Sequence, residues 1–207
     1  YPSPEYSSTD PEDQELRLLY RDNRCFAIGH GCSANWQEDT DGTAVFVETA
    51  FMPTYTLPGT YMGDKDGPVD VLRLSWLSDE STGCKELSNQ LNEFIEDYAE
   101  WYRGLVSRNV DIPQHLYKAR DRLLDRVNHV IITMKSGVAS LSANDEALRA
   151  FKLANRAMLL QMERSRPSTV EHMWRPFQLG YQLLALESLI NEDHPDRESV
   201  DLLWVPT

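Results

Sequence analysis

The fold is decided by residues 87–105, which read LSNQLNEFIEDYAEWYRGL. Apolar and aromatic side chains recur there at steps of three and four residues, the spacing that places them along one face of an α-helix. The stretch therefore predicts a long amphipathic helix, beginning after Gly83, whose apolar face must be buried against neighbouring elements. The residues of this face are Leu87, Leu91, Phe94, Ile95, Tyr98, Trp101, Tyr102 and Leu105.

Two more helices with the same period are predicted downstream. Asp111-Ile112-Pro113 is a good start signal for the second helix, whose apolar residues extend from Leu116 to Val138. Ser142 is the predicted N-cap of the third, which ends before Pro167 and has Asn155 on its inner side. Because helices joined by short connections pack as antiparallel neighbours, residues 84–166 are predicted to form a helical bundle.

The region before the bundle has β character. The segments 24–28 and 43–49 are rich in aromatic and β-branched residues, and 69–76 alternates apolar with polar side chains. Turn-forming residues at 39–42 and 62–68 separate these runs. Residues 16–83 are therefore predicted to form a small antiparallel β-rich domain.

The first fifteen residues contain three prolines and five acidic side chains but almost no aliphatic ones. Such a segment buries too little apolar surface to offset its ordering entropy, so residues 1–15 are predicted to be a flexible acidic arm. A second interpretation is autoinhibition, since an acidic arm can mimic phosphate and occupy a basic groove.

Composition limits the classes of function. The chain has 20 basic and 33 acidic residues, and its net charge of −13 excludes a surface that broadly attracts nucleic-acid phosphates. Only a local cluster such as Arg120, Arg122 and Arg126 could offset this charge. Three cysteines without paired spacing favour a reducing, cytoplasmic compartment, and no apolar run is long enough for a membrane span. The first residue is Tyr1 rather than Met, which suggests a piece of a longer chain.

A zinc site is the most specific function that side-chain chemistry alone indicates. Cys25, His30 and Cys32 lie close in sequence, and Cys84 could supply a fourth ligand. Common zinc signatures use pairs two to four residues apart, so this spacing fits them poorly. Gly29 and Gly31 favour a tight backbone approach instead, and zinc remains an alternative.

The last forty residues carry the most specific motifs. Trp174–Leu179 begins a helix with Pro176 in its first turn, residues 191–196 interrupt it, and Val200–Val205 follows as an apolar strand. A helix, a polar turn and a buried-type strand suggest the entry into a parallel α/β sheet.

These motifs resemble a known family. Trp174–Leu179, His194–Arg197 and Val200–Thr207 look like the entry to the first RecA-like motor domain in the DrmA family, the helicase-like subunits of the bacterial DISARM anti-phage system, in helicase superfamily two. Gly29–Trp36 and Ala150–Met158 are similar to the N-terminal region of the same family. With this resemblance the expected fold class is α+β: a small antiparallel β domain, a helical bundle, and then, in residues 167–207, the first helix and strand of a RecA-like domain.

The resemblance also implies a nucleotide site. Arg175, Phe177 and Gln178 match the adenine-reading element, in which the glutamine amide offers a donor and an acceptor to the purine edge. Thr207 matches the residue directly before the Walker A loop. ATP and Mg²⁺ are the implied cofactors, bound in the parent protein by residues beyond Thr207, and the implied partners are DNA and a second DISARM subunit.

Two functions of different classes remain open at this level. The first is the accessory N-terminal region of an ATP-dependent helicase or translocase. Because Gly-x-x-x-x-Gly-Lys-Ser/Thr does not occur in the 207 residues, this chain alone is expected to be inactive as an ATPase. The second is a non-enzymatic helical interaction module with an acidic regulatory arm.

Overall fold

The computed structural model describes residues 9–22, 25–50, 70–108, 112–165 and 171–200. These residues form an α+β structure of six α-helices and two antiparallel strands, with short 3-10 turns between some of them. The helices and strands are α1 (Pro11–Leu19), β1 (Ser33–Glu38), β2 (Ala44–Ala50), α2 (Leu74–Leu77), α3 (Cys84–Ser107), α4 (Tyr117–Ala143), α5 (Asp145–Ser165) and α6 (Pro176–Ile190). The 3-10 turns are Asp70–Leu72, Gln114–Leu116 and Pro195–Glu198.

The described residues fall into two units. The first takes residues 9–22, 25–50 and 112–123, and the second takes 70–108, 124–165 and 171–200. The boundary lies within α4, so the first residues of this helix belong to one unit and the rest to the other.

The first unit contains the β-hairpin. β1 and β2 pair antiparallel, with Ser33 opposite Ala50 and Trp36 opposite Val47. The turn between them is the predicted one: Asp39 accepts from the backbone N–H groups of Asp41 and Thr43, and Gly42 has φ +70°, which suits glycine. The expected strand at 24–28 is absent, since the described residues 25–28 have no regular structure.

The acidic segment at the start is partly helical. Asp10 caps α1 by accepting from the Glu12 N–H at 3.0 Å, and Pro11 occupies the first turn. Leu18 is buried in a small cluster with Ile112, Leu116 and Ala119. The expectation of a flexible arm through residue 15 was wrong from Pro11 onward, because Leu18 packs against residues far along the chain and Glu15 pairs with Arg122.

The second unit is a helical core that contains the predicted amphipathic face of α3. Leu87, Leu91, Ile95 and Ala99 are buried against residues of α4, α5 and α6. The helical content predicted within residues 84–166 and the predicted start of α6 are confirmed in these elements.

Segment 70–77 also belongs to this core, although a strand was expected there. Val71, Leu74 and Leu77 are completely buried at steps of three residues, and the chain forms a 3-10 turn followed by α2. The strand prediction was wrong because this short run satisfies both periods, and packing against α5 selects the helical one.

The predicted cap of the third helix was also wrong. Ser142 lies inside α4, where its hydroxyl donates to the Val138 carbonyl at 2.7 Å. Asn144 caps α5 instead, because its side-chain oxygen accepts from the Ala147 N–H at 3.0 Å.

Gly137 sets the closest approach of α4 to α6. A Cβ atom at this position would lie 2.3 Å from the Leu183 carbonyl oxygen and 3.1 Å from the Cβ of Leu186. A side chain of any size would push the two helices apart, so glycine is required by the packing.

Candidate functional site at the start of α6

The N-terminus of α6 is built from residues that the sequence singled out. Arg175 is the N-cap residue with extended backbone angles, and Pro176 occupies the first helical position. The Oε1 atom of Gln178 accepts a hydrogen bond from the Arg175 N–H at 2.9 Å. This is half of a capping box, in which a residue of the first turn satisfies the backbone of the cap.

The segment before α6 is tied to the start of the core. The Trp174 N–H donates to the Leu72 carbonyl at 2.8 Å, and the Leu74 N–H donates to the His172 carbonyl at 3.1 Å. These two bonds form a short antiparallel bridge between segments about a hundred residues apart in sequence. The entry to α6 is therefore held at its backbone.

Ion pairs reinforce the same bridge. The Nε atom of Arg73 lies 3.0 Å from a carboxylate oxygen of Glu171, and another guanidinium nitrogen lies 2.9 Å from Asp70. All three side chains are partly exposed, so the pairs orient the segment more than they stabilise it.

A buried amide holds the segment from the other side. Asn155 of α5 is 1% exposed, and its Oδ1 atom accepts from the Trp174 indole Nε1–H at 2.7 Å. The Asn155 Nδ2 group donates to the Phe151 carbonyl at 2.9 Å. Because both ends of the amide are satisfied, a polar group is tolerated inside the core and fixes where Trp174 sits.

The three residues that the family resemblance assigns to adenine reading all lie at the start of α6. Arg175 is exposed, while Phe177 and Gln178 are half-buried. Gln178 keeps its amide NH₂ as a donor and one lone pair of Oε1 beside the capping bond. A partly exposed amide with a donor and an acceptor to spare has the chemistry that the edge of a purine would require. Thr207 lies outside the described residues, as does the expected strand from residue 201 onward.

Lys152 of α5 is a further charged residue of the helical core. Its ammonium donates to the Thr82 carbonyl at 2.6 Å and to the Asp79 carbonyl at 3.0 Å, which fastens the connection between α2 and α3. The backbone N–H and hydroxyl of Ser81 lower the pKa of the Asp79 carboxyl, and the charge of Lys152 lowers it further. The contacts of Lys152 are those of a structural cation.

The four residues of the zinc alternative are divided between the units. Cys25, His30 and Cys32 belong to the first unit, and Cys84 belongs to the second, where its Sγ donates to the Ser142 carbonyl at 3.7 Å. Across the described ranges, no group of three or more His, Cys, Asp or Glu side chains is arranged to hold a metal ion.

Acidic neighbours partly neutralise the basic cluster that the sequence predicted. Arg120 pairs with Asp121 at 2.7 Å and lies over the ring of Tyr117. Arg122 pairs with Glu15 of α1 at 2.9 Å and donates to the Pro11 carbonyl at 3.1 Å. Arg126 belongs to the second unit.

Sequence reasoning placed Asn155 on the inner face of α5, and this is confirmed. It did not find the partner of this amide, nor the roles of Lys152 and Gly137. A buried Asn on an apolar helical face signals that some donor must meet it, but periodicity cannot say which one.

One curated protein supports the family resemblance. The chain is 29% identical to the DISARM protein DrmA of Bacillus paralicheniformis over 213 aligned residues, which cover 92% of this chain and 18% of that protein. The chain thus spans less than a fifth of the length of this relative. No family model matches the chain. In the part of the chain that the structure describes, no helix has both the length and the apolar character needed to cross a membrane.

Proposed function

We propose that this chain is the N-terminal accessory region of an ATP-dependent DNA helicase or translocase of superfamily two, acting in DISARM anti-phage defence in the cytoplasm. The observation that carries the proposal is the similarity to a DISARM protein along 92% of the chain. Because the match covers only 18% of that relative, the motor activity is assigned to the longer protein.

In this proposal the start of α6 reads the base of ATP. Gln178 would meet the adenine edge through its amide, and the exposed Arg175 and half-buried Phe177 would contribute from the same end of the helix. Thr207 leads into the loop that binds the phosphates and Mg²⁺ beyond this chain. The exposed position of Arg175 and the partial exposure of Gln178 support the assignment.

The helical core serves as the support for this element. Asn155 and Trp174 belong to two of the segments that carry the resemblance, and their hydrogen bond joins these two segments. A base-reading turn has to be held in place to discriminate between purines, and the bridge to Leu72 and the bond to Asn155 provide that restraint.

The test uses two substitutions of Gln178 in the longer protein. Gln178→Ala removes the whole amide, whereas Gln178→Glu keeps an oxygen that caps Arg175 but loses the NH₂ donor. If the amide reads adenine, both variants should raise the Michaelis constant for ATP, by about 5- to 150-fold for Ala, which corresponds to about 1–3 kcal/mol. Turnover should change less, and the preference for ATP over GTP should fall.

A purely structural role predicts a different pattern. If Gln178 only caps the helix, Gln178→Ala should lower the free energy of unfolding by about 0.5–2 kcal/mol, and Gln178→Glu should preserve it. An unchanged Michaelis constant and an unchanged ATP-to-GTP preference in both variants would remove the base-reading role.

The reading frame beyond Thr207 provides an independent test of the motor. A Gly-rich loop with Lys-Thr directly after Thr207 supports the proposal, because the phosphates need a loop between a strand and a helix N-terminus. A stop codon at that point would leave no motor and would favour a non-enzymatic interaction module.

The proposed partners are DNA and a second DISARM subunit. We assign DNA contacts mainly to parts of the longer protein outside this acidic chain, whose net charge is −13. A second role, regulation by the acidic segment, is favoured by the contact between α1 and Arg122, since Glu15 occupies a guanidinium that could otherwise bind phosphate.

The regulatory role has its own test. Glu15→Gln should weaken the hold on Arg122 and tighten binding of duplex DNA to the longer protein at low salt, while Glu12→Gln, at an exposed position of the same helix, should serve as a control of equal charge. Equal effects of the two variants would mean that α1 affects DNA binding only through its net charge.

A further inference from the structure

α3 presents a face to solvent that the core does not use. Glu93, Asp97, Glu100, Trp101 and Gly104 are all exposed and stand at offsets of zero, four, seven, eight and eleven, which places them on one side of the helix. We call these five residues the α3 outer face. A large aromatic ring stands there among three carboxylates, of which Glu93 accepts a hydrogen bond from the Gln90 amide at 2.9 Å.

The ring of this face is held rigidly. Trp101 is 45% exposed and stacks on Tyr98, with ring centroids 5.2 Å apart and planes 17° from parallel. Tyr98 itself packs against the core, and its partial burial raises the pKa of its phenol. The stack restricts the indole, so less side-chain entropy is lost when a ligand covers it.

The surface beside the indole is open. A Cβ atom placed on Gly104 meets nothing within 4 Å among the described residues. Gly104 lies one turn beyond Trp101, so an approaching group meets backbone rather than a side chain there. Glycine is less favourable than alanine inside a helix, and here it leaves room for a partner.

The carboxylates of this face have no cation of their own. Within the described ranges, the ion pairs of α3 involve Glu96, which binds Arg103 at 2.9 Å and Lys135 at 3.0 Å. Asp97 and Glu100, which flank Trp101 by one turn and one residue, form no ion pair in that part of the chain. The negative charge around the indole is therefore available to a partner.

We propose that the α3 outer face docks an arginine-rich segment of another protein, with a guanidinium over the Trp101 indole and its N–H groups on Asp97 and Glu100. Arginine suits this combination because its planar cation stacks on an aromatic face while it donates to carboxylates at its edge. Lysine can supply the charge but stacks less well. The acidity of the chain, −13 overall, draws such a partner and repels nucleic acid.

The proposal does not depend on nucleotide binding, and its test uses the 207-residue chain. The probes are a labelled Ser/Gly peptide with arginine at every third position and its twin with lysine in the same places. Binding is followed by fluorescence anisotropy at several salt concentrations. We expect the arginine peptide to bind about threefold more tightly than the lysine peptide, as cation–π stacking predicts.

Substitutions separate the contribution of the Trp101 indole to peptide binding from that of the carboxylate charges. Trp101→Ala should abolish the preference for arginine over lysine. Asp97→Asn with Glu100→Gln should weaken both peptides about fivefold at low salt and reduce the salt dependence. The matched control is Glu163→Gln with Glu192→Gln, which removes the same charge from exposed sites elsewhere and should change binding less than twofold. The carboxylate variant leaves the aromatic stack intact, so it tests the face even if Trp101→Ala disturbs α3.

Four outcomes would overturn the proposal. These are a preference for arginine that survives Trp101→Ala, an equal loss of binding in the control variant, a dimer in sedimentation that Trp101→Ala dissolves, and binding of single-stranded DNA that depends on Trp101. The third would assign the face to a second copy of this chain, and the fourth would assign it to nucleic acid.

Discussion

The hydrogen bond between Asn155 and Trp174 should be worth measurable stability. Its length is 2.7 Å, Asn155 is 1% exposed, and the Trp174 indole is half-buried. Asn155→Leu keeps the branched shape of the side chain, with a larger volume, and leaves the indole N–H without its acceptor. An unsatisfied buried donor costs about 1–3 kcal/mol, and the partial exposure of Trp174 favours the lower half of this range.

A double-mutant cycle isolates the bond. Trp174→Phe removes the donor and should destabilise the chain by about 1–2 kcal/mol, because the Asn155 oxygen loses its partner. The double variant should be less damaged than the sum of the single variants by about 1 kcal/mol, since no polar atom is then left over. Urea unfolding of the 207-residue chain, followed by far-UV circular dichroism, supplies the free energies.

Asn89→Leu is the control, because Asn89 is exposed on α3 and the same change of chemistry there should alter stability by less than about 0.5 kcal/mol. Hydrogen exchange adds a local readout: the amides of Gln178 and Leu179, which bond to the Arg175 carbonyl, should exchange faster in Asn155→Leu. Additive free energies in the cycle, with a coupling below about 0.3 kcal/mol, would refute the positioning role of Asn155.

Two other predictions concern packing and charge. Gly137→Ala should destabilise the chain by about 1–3 kcal/mol in urea unfolding, because the new methyl group would overlap the Leu183 carbonyl; full stability would mean that α4 and α6 are less closely packed than described. The pKa of the Glu96 carboxyl is lowered by hydrogen bonds from Lys135 and then Arg103, so the stability that the ionised form contributes is present above the unfolded-state pKa and is lost as the pH falls through the folded-state value. Lys135→Met should raise this pKa toward its ordinary value in a carbon-detected NMR titration, and an unmoved pKa would contradict the pairing.

The similarity to the DISARM relative and the local geometry of α6 bear on different parts of the proposed function. The similarity extends over nearly the whole chain and concerns which proteins the chain resembles, whereas the geometry concerns three residues at one helix start. The capping bond of Gln178 shows why both Ala and Glu variants are needed, since one side chain can serve the helix and a ligand together.

The sequence alone determined the elements whose residue pattern repeats over several turns or depends only on neighbouring residues. The α3 stripe, the start of α6 at Pro176 and the turn at 39–42 were predicted correctly, because periodicity over several turns, proline geometry and aspartate–glycine turns depend on neighbouring residues only. The burial of Asn155 followed from the same periodicity.

Only the tertiary structure decided the short and ambiguous segments and the contacts between distant ones. Residues 70–77 fit two periods, and the core selected the helical one. α1 formed where a flexible arm was expected, since Leu18 and Glu15 find partners about a hundred residues away. The acceptor for Trp174 and the need for glycine at position 137 arise where two helices or segments meet. Such contacts depend on the relative positions of complete elements, and a local pattern contains no information on those positions.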